Sequence, residues 1–130
     1  MILKIFLLSL ALELAAPREV NKKAVATWME QTSPYYDHCI YESNATFSEL
    51  EELTKFGKVA STTTFKHFLK CIYESLNLFN TDGGFNKRIL LNTFSYVTEA
   101  IADKCINSTI SEEDVYEKSY LLGNCITQSI

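Results

Sequence analysis

Residues 66–74, KHFLKCIYE, belong to the stretch of sequence that decides the fold. They lie within a longer run, residues 63–78, whose apolar side chains recur every three or four positions. These apolar positions are Phe65, Phe68, Leu69, Ile72 and Leu76. A stripe this wide at a period of about 3.6 residues predicts an amphipathic α-helix with one face on an interior. Cys71 lies in the same predicted helix, so any disulfide it forms would tie this helix to another segment.

Helical patterns also precede this run. A first helix is predicted over about residues 20–32, and Ser33-Pro34 then restarts the chain, because serine can cap a helix and proline suits its first position. Thr46 and Glu49 have the spacing of a capping box, which predicts a further helix that ends at Gly57.

The chain after the central run is also predicted to be helical. Residues 81–84, TDGG, indicate a turn, since glycine tolerates a positive φ. Residues 87–105 contain no proline or glycine, so the sequence favours one helix there, with a face formed by Leu90, Phe94, Val97, Ile101 and Cys105. Ser111 and Asp114 are predicted to open a last helix, in which Val115, Ser119, Leu122 and Ile126 share a face.

The composition agrees with a single all-α domain. The 130 residues include only two prolines and four glycines, and every predicted helix is amphipathic, which predicts helices packed around one interior. With 12 basic and 16 acidic residues the formal net charge is −4, and the basic residues form no stripe. Nucleic acid is therefore an unexpected partner.

Residues 1–16 are interpreted as a secretory signal peptide. They have a short cationic start at Lys4, an apolar core over residues 5–12 and small residues at Ala15 and Ala16. The apolar run is far shorter than the ~20 residues that span a bilayer, so no stable membrane insertion is expected. We therefore predict a secreted, extracellular protein with one mature domain, residues 17–130. Sequons at Asn44 and Asn107 are compatible with export, and the sequence leaves their use open.

Four cysteines lie in the mature domain, at Cys39, Cys71, Cys105 and Cys125, with 31, 33 and 19 residues between successive ones. No two are close enough for a Cys-x-x-Cys metal or redox motif. In an exported protein they are expected to form two long-range disulfides. Four cysteines allow three pairings, and the spacing alone does not choose among them.

Catalysis is not expected, and neither is a metal ion or a cofactor. His38 and His67 are the two histidines of the chain. No Ser/His/Asp arrangement and no metal-ligand spacing surrounds either of them.

The chain resembles the insect odorant-binding proteins of the pheromone-binding and general-odorant-binding type over essentially its whole mature length. Three features carry the resemblance: the exported all-helical length, the string KCIYE at residues 70–74 followed by DGG at residues 82–84, and a C-terminal string with Glu117, Tyr120 and Cys125.

Six-cysteine members of that family have two further cysteines, which bond to each other. Counting four residues back from Cys71 gives His67, and nine residues back from Cys125 gives Tyr116, at the positions where the family has them. The two family cysteines that bond to each other are therefore both absent from this chain. This paired absence resembles the four-cysteine, minus-C branch of the family. The resemblance implies the disulfides Cys39–Cys71 and Cys105–Cys125 and a compact array of about six helices around an apolar cavity. It also implies a looser wall of the cavity where the third disulfide is missing. The resemblance further implies a break of residues 87–105 into two helices, which the sequence itself does not force.

The resemblance further implies a soluble carrier that holds a small hydrophobic ligand, such as an odorant, a pheromone or a lipid, with a chemosensory receptor as a candidate partner. Matched by their spacing from the cysteines, seven residues are expected to line the pocket: Phe56, Leu69, Tyr73, Leu78, Ala102, Leu122 and Ile126. We add Ile72 and Leu76, which are neighbours on the same helix face. Tyr73 is the polar candidate, because its hydroxyl could meet a ligand oxygen. The five residues after Cys125 are too few to enter the pocket as a helix, but Ile126 and Ile130 could cover an opening.

A secreted helical effector or signalling protein that acts through its surface is the alternative interpretation. It predicts a solid core and an exposed apolar patch, whereas a carrier predicts a closed cavity. The sequence leaves open the ligand, the tissue, the oligomeric state and any pH-dependent release.

Overall fold

The computed structural model describes residues 20–130. The predicted signal peptide, residues 1–16, lies outside the described residues. Within them the helices, in chain order, are α1 (Lys22–Thr32), a 3-10 turn (Ser33–Tyr35), α2 (Tyr36–Ser43), α3 (Phe47–Phe56), α4 (Thr63–Ser75), α5 (Lys87–Thr93), α6 (Glu99–Asn107) and α7 (Val115–Ser129). Since α1, the 3-10 turn and α2 follow one another without a break, residues 20–130 contain six continuous helical segments. The all-α prediction is confirmed.

The start and end of α3 follow the sequence prediction. Thr46 Oγ1 accepts a hydrogen bond from the backbone N–H of Glu49 at 3.1 Å, and the Glu49 carboxylate accepts one from the backbone N–H of Thr46 at 2.8 Å. This is a capping box, which satisfies two backbone donors that a helix start would otherwise leave unpaired. Gly57 ends the helix with a φ of 61°, a left-handed conformation that favours glycine.

The prediction of one helix over residues 87–105 is wrong. Helix α5 ends at Thr93, Phe94 is extended, and Thr98 caps a separate α6 by accepting a hydrogen bond from the backbone N–H of Ile101. A capping threonine opens a new helix here without proline or glycine.

The predicted cap at Ser111 is also wrong. Residues 108–111 form a turn, and Asp114 is the cap of α7, where its carboxylate accepts hydrogen bonds from the backbone N–H groups of Tyr116 and Glu117. Asp114 satisfies two backbone donors, so the cap of this helix lies three residues later than predicted.

Two disulfides join the helices as the resemblance implied. Cys39–Cys71 ties α2 to α4, and Cys105–Cys125 ties α6 to α7, each with a Cα–Cα distance of 5.5 Å. Both predicted pairs are confirmed. Among residues 20–130, no helix is both long enough and apolar enough to cross a bilayer.

Helix α4 lies at the centre of the core and packs against α2 and α7. Its apolar stripe is almost completely buried, including Phe65, Phe68 and Ile72 at 0% exposure. Phe65 and Phe68 stack with ring centroids 5.4 Å apart, and Tyr36 from α2 meets Phe68 edge-on at 5.5 Å. The amphipathic stripe that the sequence showed is therefore the surface on which the other helices assemble.

A buried carboxylate fixes α3 to the start of α4. Glu49 also accepts hydrogen bonds from the hydroxyls of Thr62 and Thr64. Burial raises the pKa of the Glu49 carboxyl, but the hydrogen bonds from Thr62, Thr46 and Thr64 outweigh burial and bring the pKa below its ordinary value. The carboxylate is therefore held ionised at this junction.

Candidate functional site

An apolar cavity with a volume of about 310 Å³ lies between α1, the end of α3, α4 and α7. Its size is at the lower end of the range for small-molecule sites, about 300–1,000 Å³. The apolar side chains that line it are Val20, Ala24, Val25, Trp28, Leu53, Phe56, Val59, Leu69, Phe94, Ile126 and Ile130. The interior is therefore not solid, although the sequence pattern was equally compatible with a solid core.

The cavity opens to solvent at one side. Phe56, the last residue of α3, is 69% exposed although it lines the cavity, and the neighbouring Lys58 is also exposed. Ile126 and Ile130 from the end of α7 line the cavity as well. Whether these two isoleucines cover the opening stays a prediction.

Stacked aromatic rings form one wall of the cavity. The Trp28 indole from α1 stacks on Phe94, with ring centroids 5.6 Å apart, and Phe94 contacts Tyr96 at 5.6 Å. The indole N–H donates a hydrogen bond to the Tyr36 hydroxyl at 2.9 Å, so this donor already has a partner. Trp28 and Phe94 therefore offer flat apolar area, and Tyr96 adds a hydroxyl to this wall.

The two tyrosines of the lining have perturbed hydroxyls. Burial raises the pKa of Tyr73 above its ordinary value. Burial also raises the pKa of Tyr96, and the nearness of Tyr73 raises it further. A buried phenol loses the hydration that would stabilise its anion, so both hydroxyls remain protonated at neutral pH.

Four of the nine predicted pocket residues line the cavity together: Phe56, Leu69, Tyr73 and Ile126. The other five are not among its lining residues. Ile72, Leu78, Ala102 and Leu122 are completely buried in the core, and Leu76 is partly buried against it. Contact of any of the nine with a ligand stays a prediction.

Sequence reasoning missed three important parts of the lining. Trp28 shows the helical spacing of a core residue, which does not distinguish a solid core from a cavity wall. Tyr96 lies in the break between α5 and α6, a break that the sequence reasoning did not predict. Gly123 was missed as well, and a single glycine within a helix pattern was the available signal.

A second, smaller hollow marks the positions of the two absent cysteines. His67 from α4 and Tyr116 from α7 stack there, with ring centroids 3.9 Å apart and planes at 20°. The two residues that the family spacing places at the absent cysteines are therefore in contact. Beside it Lys66 forms a salt bridge with Glu117 at 2.6 Å, and the hydrogen bond to Glu117 raises the pKa of Lys66. Side-chain contacts therefore join α4 to α7 where a disulfide would lie.

Neither hollow has the donor set of a metal centre. Within residues 20–130, no three or more His, Cys, Asp or Glu side chains lie close enough together to hold a metal ion.

These observations define a disulfide-stapled all-α domain built around an apolar cavity. Residues 21–129 match the model of the PBP/GOBP family, so the chain belongs to this family of pheromone-binding and general-odorant-binding proteins. Its four cysteines, paired in two disulfides, are consistent with the minus-C branch. No curated protein and no solved structure matches the chain. Proteins of this family are binding proteins rather than enzymes.

Proposed function

We propose that this protein is a secreted, soluble carrier that binds a small hydrophobic ligand in the cavity between α1, α3, α4 and α7. The observation that carries the proposal is the cavity itself, about 310 Å³ in volume with mostly apolar and aromatic walls. Transfer of apolar surface from water into such a site is favourable by roughly 25 cal/mol per Å². In this role a chemosensory receptor is the candidate recipient of the ligand.

The two disulfides suit a carrier. They tie α2, α4, α6 and α7 together, so an interior that is partly empty can persist without collapse. Disulfides persist outside the cell, in agreement with the predicted signal peptide at residues 1–16. The family membership supports the same role.

The test is titration with N-phenyl-1-naphthylamine, an apolar dye whose fluorescence rises on leaving water. We expect a dissociation constant in the micromolar range, which corresponds to a binding free energy of about −8 kcal/mol. Helix α3 offers a matched pair of variants, because its first and last residues are both exposed phenylalanines: Phe47 at 76% and Phe56 at 69%. Only Phe56 lines the cavity.

Phe56→Ala should weaken dye binding several-fold, since it removes an aromatic side chain from the mouth of the cavity. Phe47→Ala should bind as the wild type does. Circular dichroism should show the same helix content for all three proteins. Equal weakening by both variants would instead favour an effector that acts through its exposed apolar surface, and no dye binding by the wild type would contradict the carrier proposal.

A further inference from the structure

The turn between α2 and α3 presents one of the two sequons at the protein surface. Asn44 ends α2 in a left-handed conformation, with a φ of 60° and a ψ of 26°, which asparagine tolerates better than most residues. It is exposed, and its side chain forms no hydrogen bond among residues 20–130. The side-chain amide is therefore available for attachment of a sugar, the modification that the motif Asn-Ala-Thr permits in an exported chain.

Neighbouring residues fix the backbone of this turn. The backbone N–H of Asn44 donates a hydrogen bond to the carbonyl of Ile40 at 2.8 Å. The Ser43 hydroxyl donates one to the carbonyl of Cys39 at 2.7 Å and accepts one from the backbone N–H of Ala45 at 3.1 Å. Because none of these contacts uses the side chain of Asn44, a group attached there would leave all of them in place.

Two exposed aromatic rings flank Asn44. Tyr41 and Phe47, three positions before and three positions after it, are 82% and 76% exposed, the two most exposed large apolar side chains among residues 20–130. Residues three apart on a helix are surface neighbours, so Tyr41 lies beside Asn44 at the end of α2. N-acetylglucosamine has a face of C–H groups and an acetyl methyl, and removal of such surface and of an aromatic ring from water is favourable. The first sugar on Asn44 would therefore lie next to an uncovered ring.

The second sequon lies in a different environment. Asn107, the last residue of α6, is exposed, but Thr109 is 2% exposed and its hydroxyl donates a hydrogen bond to the carbonyl of Ile106 at 2.7 Å. Thr46, the corresponding residue of the first sequon, is exposed. A transferase that reads the motif must reach this hydroxyl as well as the amide, so the folded turn after α6 withholds one of the two. The residue three positions before Asn107 is Lys104, which offers no ring.

We propose that Asn44, and not Asn107, carries an N-linked glycan whose first N-acetylglucosamine packs on the ring of Tyr41. The sequon supplies the attachment point, and the flanking ring supplies the surface that the sugar covers. This modification rests on the secretion that the proposed function includes, since the transfer takes place during export.

The transfer needs a donor of one chemical class, an oligosaccharide carried on a lipid diphosphate. The amide nitrogen of Asn44 bonds to the anomeric carbon of the first sugar. The bond from that carbon to the diphosphate oxygen breaks, and the lipid diphosphate leaves with the electron pair. The proton lost from the amide passes to a base of the transferase, so nothing is oxidised or reduced.

The attachment site is tested with the whole chain, residues 1–130, expressed in insect cells and collected from the medium. Peptide N-glycosidase A in heavy-oxygen water converts each glycosylated asparagine into a labelled aspartate, which tandem mass spectrometry locates. We expect the label at Asn44 in most of the secreted protein and almost none at Asn107. Asn44→Gln should abolish the glycan, whereas Asn107→Gln should leave it unchanged.

The melting temperature before and after glycan removal tests the packing on Tyr41. Removal should lower it by about 4 °C in the wild type, as expected for one aromatic contact in a domain of this size. In Tyr41→Ala the same treatment should change it by less than about 1 °C. Ile110→Ala is the matched control with the full loss, because Ile110 is 69% exposed and lies three positions after Asn107. Asn44 becomes aspartate in all three proteins, so the comparison isolates the ring.

The outcomes separate this inference from the carrier proposal. A secreted protein with unmodified Asn44 would overturn the glycan and leave the carrier intact, since Asn44 does not line the cavity and dye binding by the same sample tests the cavity separately. Equal labelling of Asn44 and Asn107 would overturn the selection between the sequons. An equal fall in melting temperature in Tyr41→Ala and the wild type would overturn the packing on the ring. A chain retained inside the cell would overturn both the proposed secretion and the glycan.

Discussion

Helix α4 meets its two main neighbours in different ways. It is joined to α2 by the Cys39–Cys71 disulfide, a bond that no thermal fluctuation opens. It is joined to α7 by side chains alone, the stack of His67 on Tyr116 and the salt bridge from Lys66 to Glu117. We call these contacts the α4–α7 seam.

The difference matters because of where the seam lies. Helices α4 and α7 both contribute walls of the cavity, through Leu69 and Tyr73 on one side and Gly123 and Ile126 on the other. Stacking and ion pairs of this kind each contribute about 1 kcal/mol, so they can open and close again. A disulfide at the same place would not open in this way. We therefore expect α4 and α7 to form the flexible wall of the cavity, whereas the disulfide holds α4 rigidly to α2, which does not line the cavity.

The largest effect is expected from breaking the covalent joint. The double variant Cys39→Ser, Cys71→Ser removes a bond that closes a loop of 32 residues. In the chain-entropy account this lowers the free energy of unfolding by about 4 kcal/mol, because the unfolded chain is no longer restricted. Urea unfolding followed by circular dichroism measures the change. A loss below about 1 kcal/mol would show that this joint does not dominate the stability.

The second effect comes from making the seam covalent. In the double variant His67→Cys, Tyr116→Cys, a third disulfide should form on oxidation, because the two side chains already touch across the seam. The closed loop should raise the free energy of unfolding by about 4 kcal/mol, less the packing that the lost stack provided. The same protein with this bridge reduced is the control. Ligand exchange should also become slower.

Two free thiols in the folded, oxidised double variant would show that His67 and Tyr116 do not occupy disulfide positions. A bridged variant that exchanges ligand at the wild-type rate would show something different: the seam would not be the flexible wall.

The smallest effect on stability is expected at the junction of α3 and α4, which the Glu49 carboxylate holds through hydrogen bonds. Glu49→Gln keeps the shape of the side chain but removes the charge that the threonines stabilise. We expect a loss of about 2 kcal/mol in the free energy of unfolding at pH 7, as for hydrogen bonds to a charged group. Glu51→Gln, on the same helix with an exposed ion pair to Lys55, should change it by less than about 1 kcal/mol.

The stability difference between the wild type and Glu49→Gln should also depend on pH. The pKa of Glu49 is lower in the folded protein than its ordinary value, so its stabilisation is present above the unfolded pKa of about 4.3 and is lost as the pH falls through the folded pKa. The difference between wild type and Glu49→Gln should therefore shrink below about pH 4. A difference that stays constant down to pH 2 would show that the charge is not its cause.

The sequence predicted those parts of the fold that depend on local pattern. The stripe of α4 and the capping box of α3 follow from side-chain spacing and from local hydrogen bonds, and both are present. The break after Thr93 was missed because a threonine is common within helices as well as at their caps. Only the start of a helix at Glu99 identifies Thr98 as a cap. The disulfide pairing needed the family resemblance, since cysteine spacing alone allows three patterns.

The cavity could be predicted only in part. Leu69, Tyr73 and the fully buried Ile72 lie on one helix within five residues, yet only the first two reach the cavity. Which buried residue faces a void and which faces another side chain depends on how the helices pack, and no local pattern records that. Gly123 shows the same limit, because a Cβ atom there would lie 2.9 Å from the hydroxyl oxygen of Tyr73, which is far earlier in the chain.

The most direct test of the central claim is nuclear magnetic resonance of the methyl-labelled protein with decan-2-one. We predict intermolecular Overhauser contacts from the ketone chain to the methyl groups of Leu69 and Ile126, which line the cavity. The methyl groups of Leu90, a completely buried residue, and of Ile110, a residue that is 69% exposed, should show none. Contacts to Ile110 in place of Leu69 and Ile126, or no contacts at saturating ketone, would contradict the claim that this cavity binds the ligand.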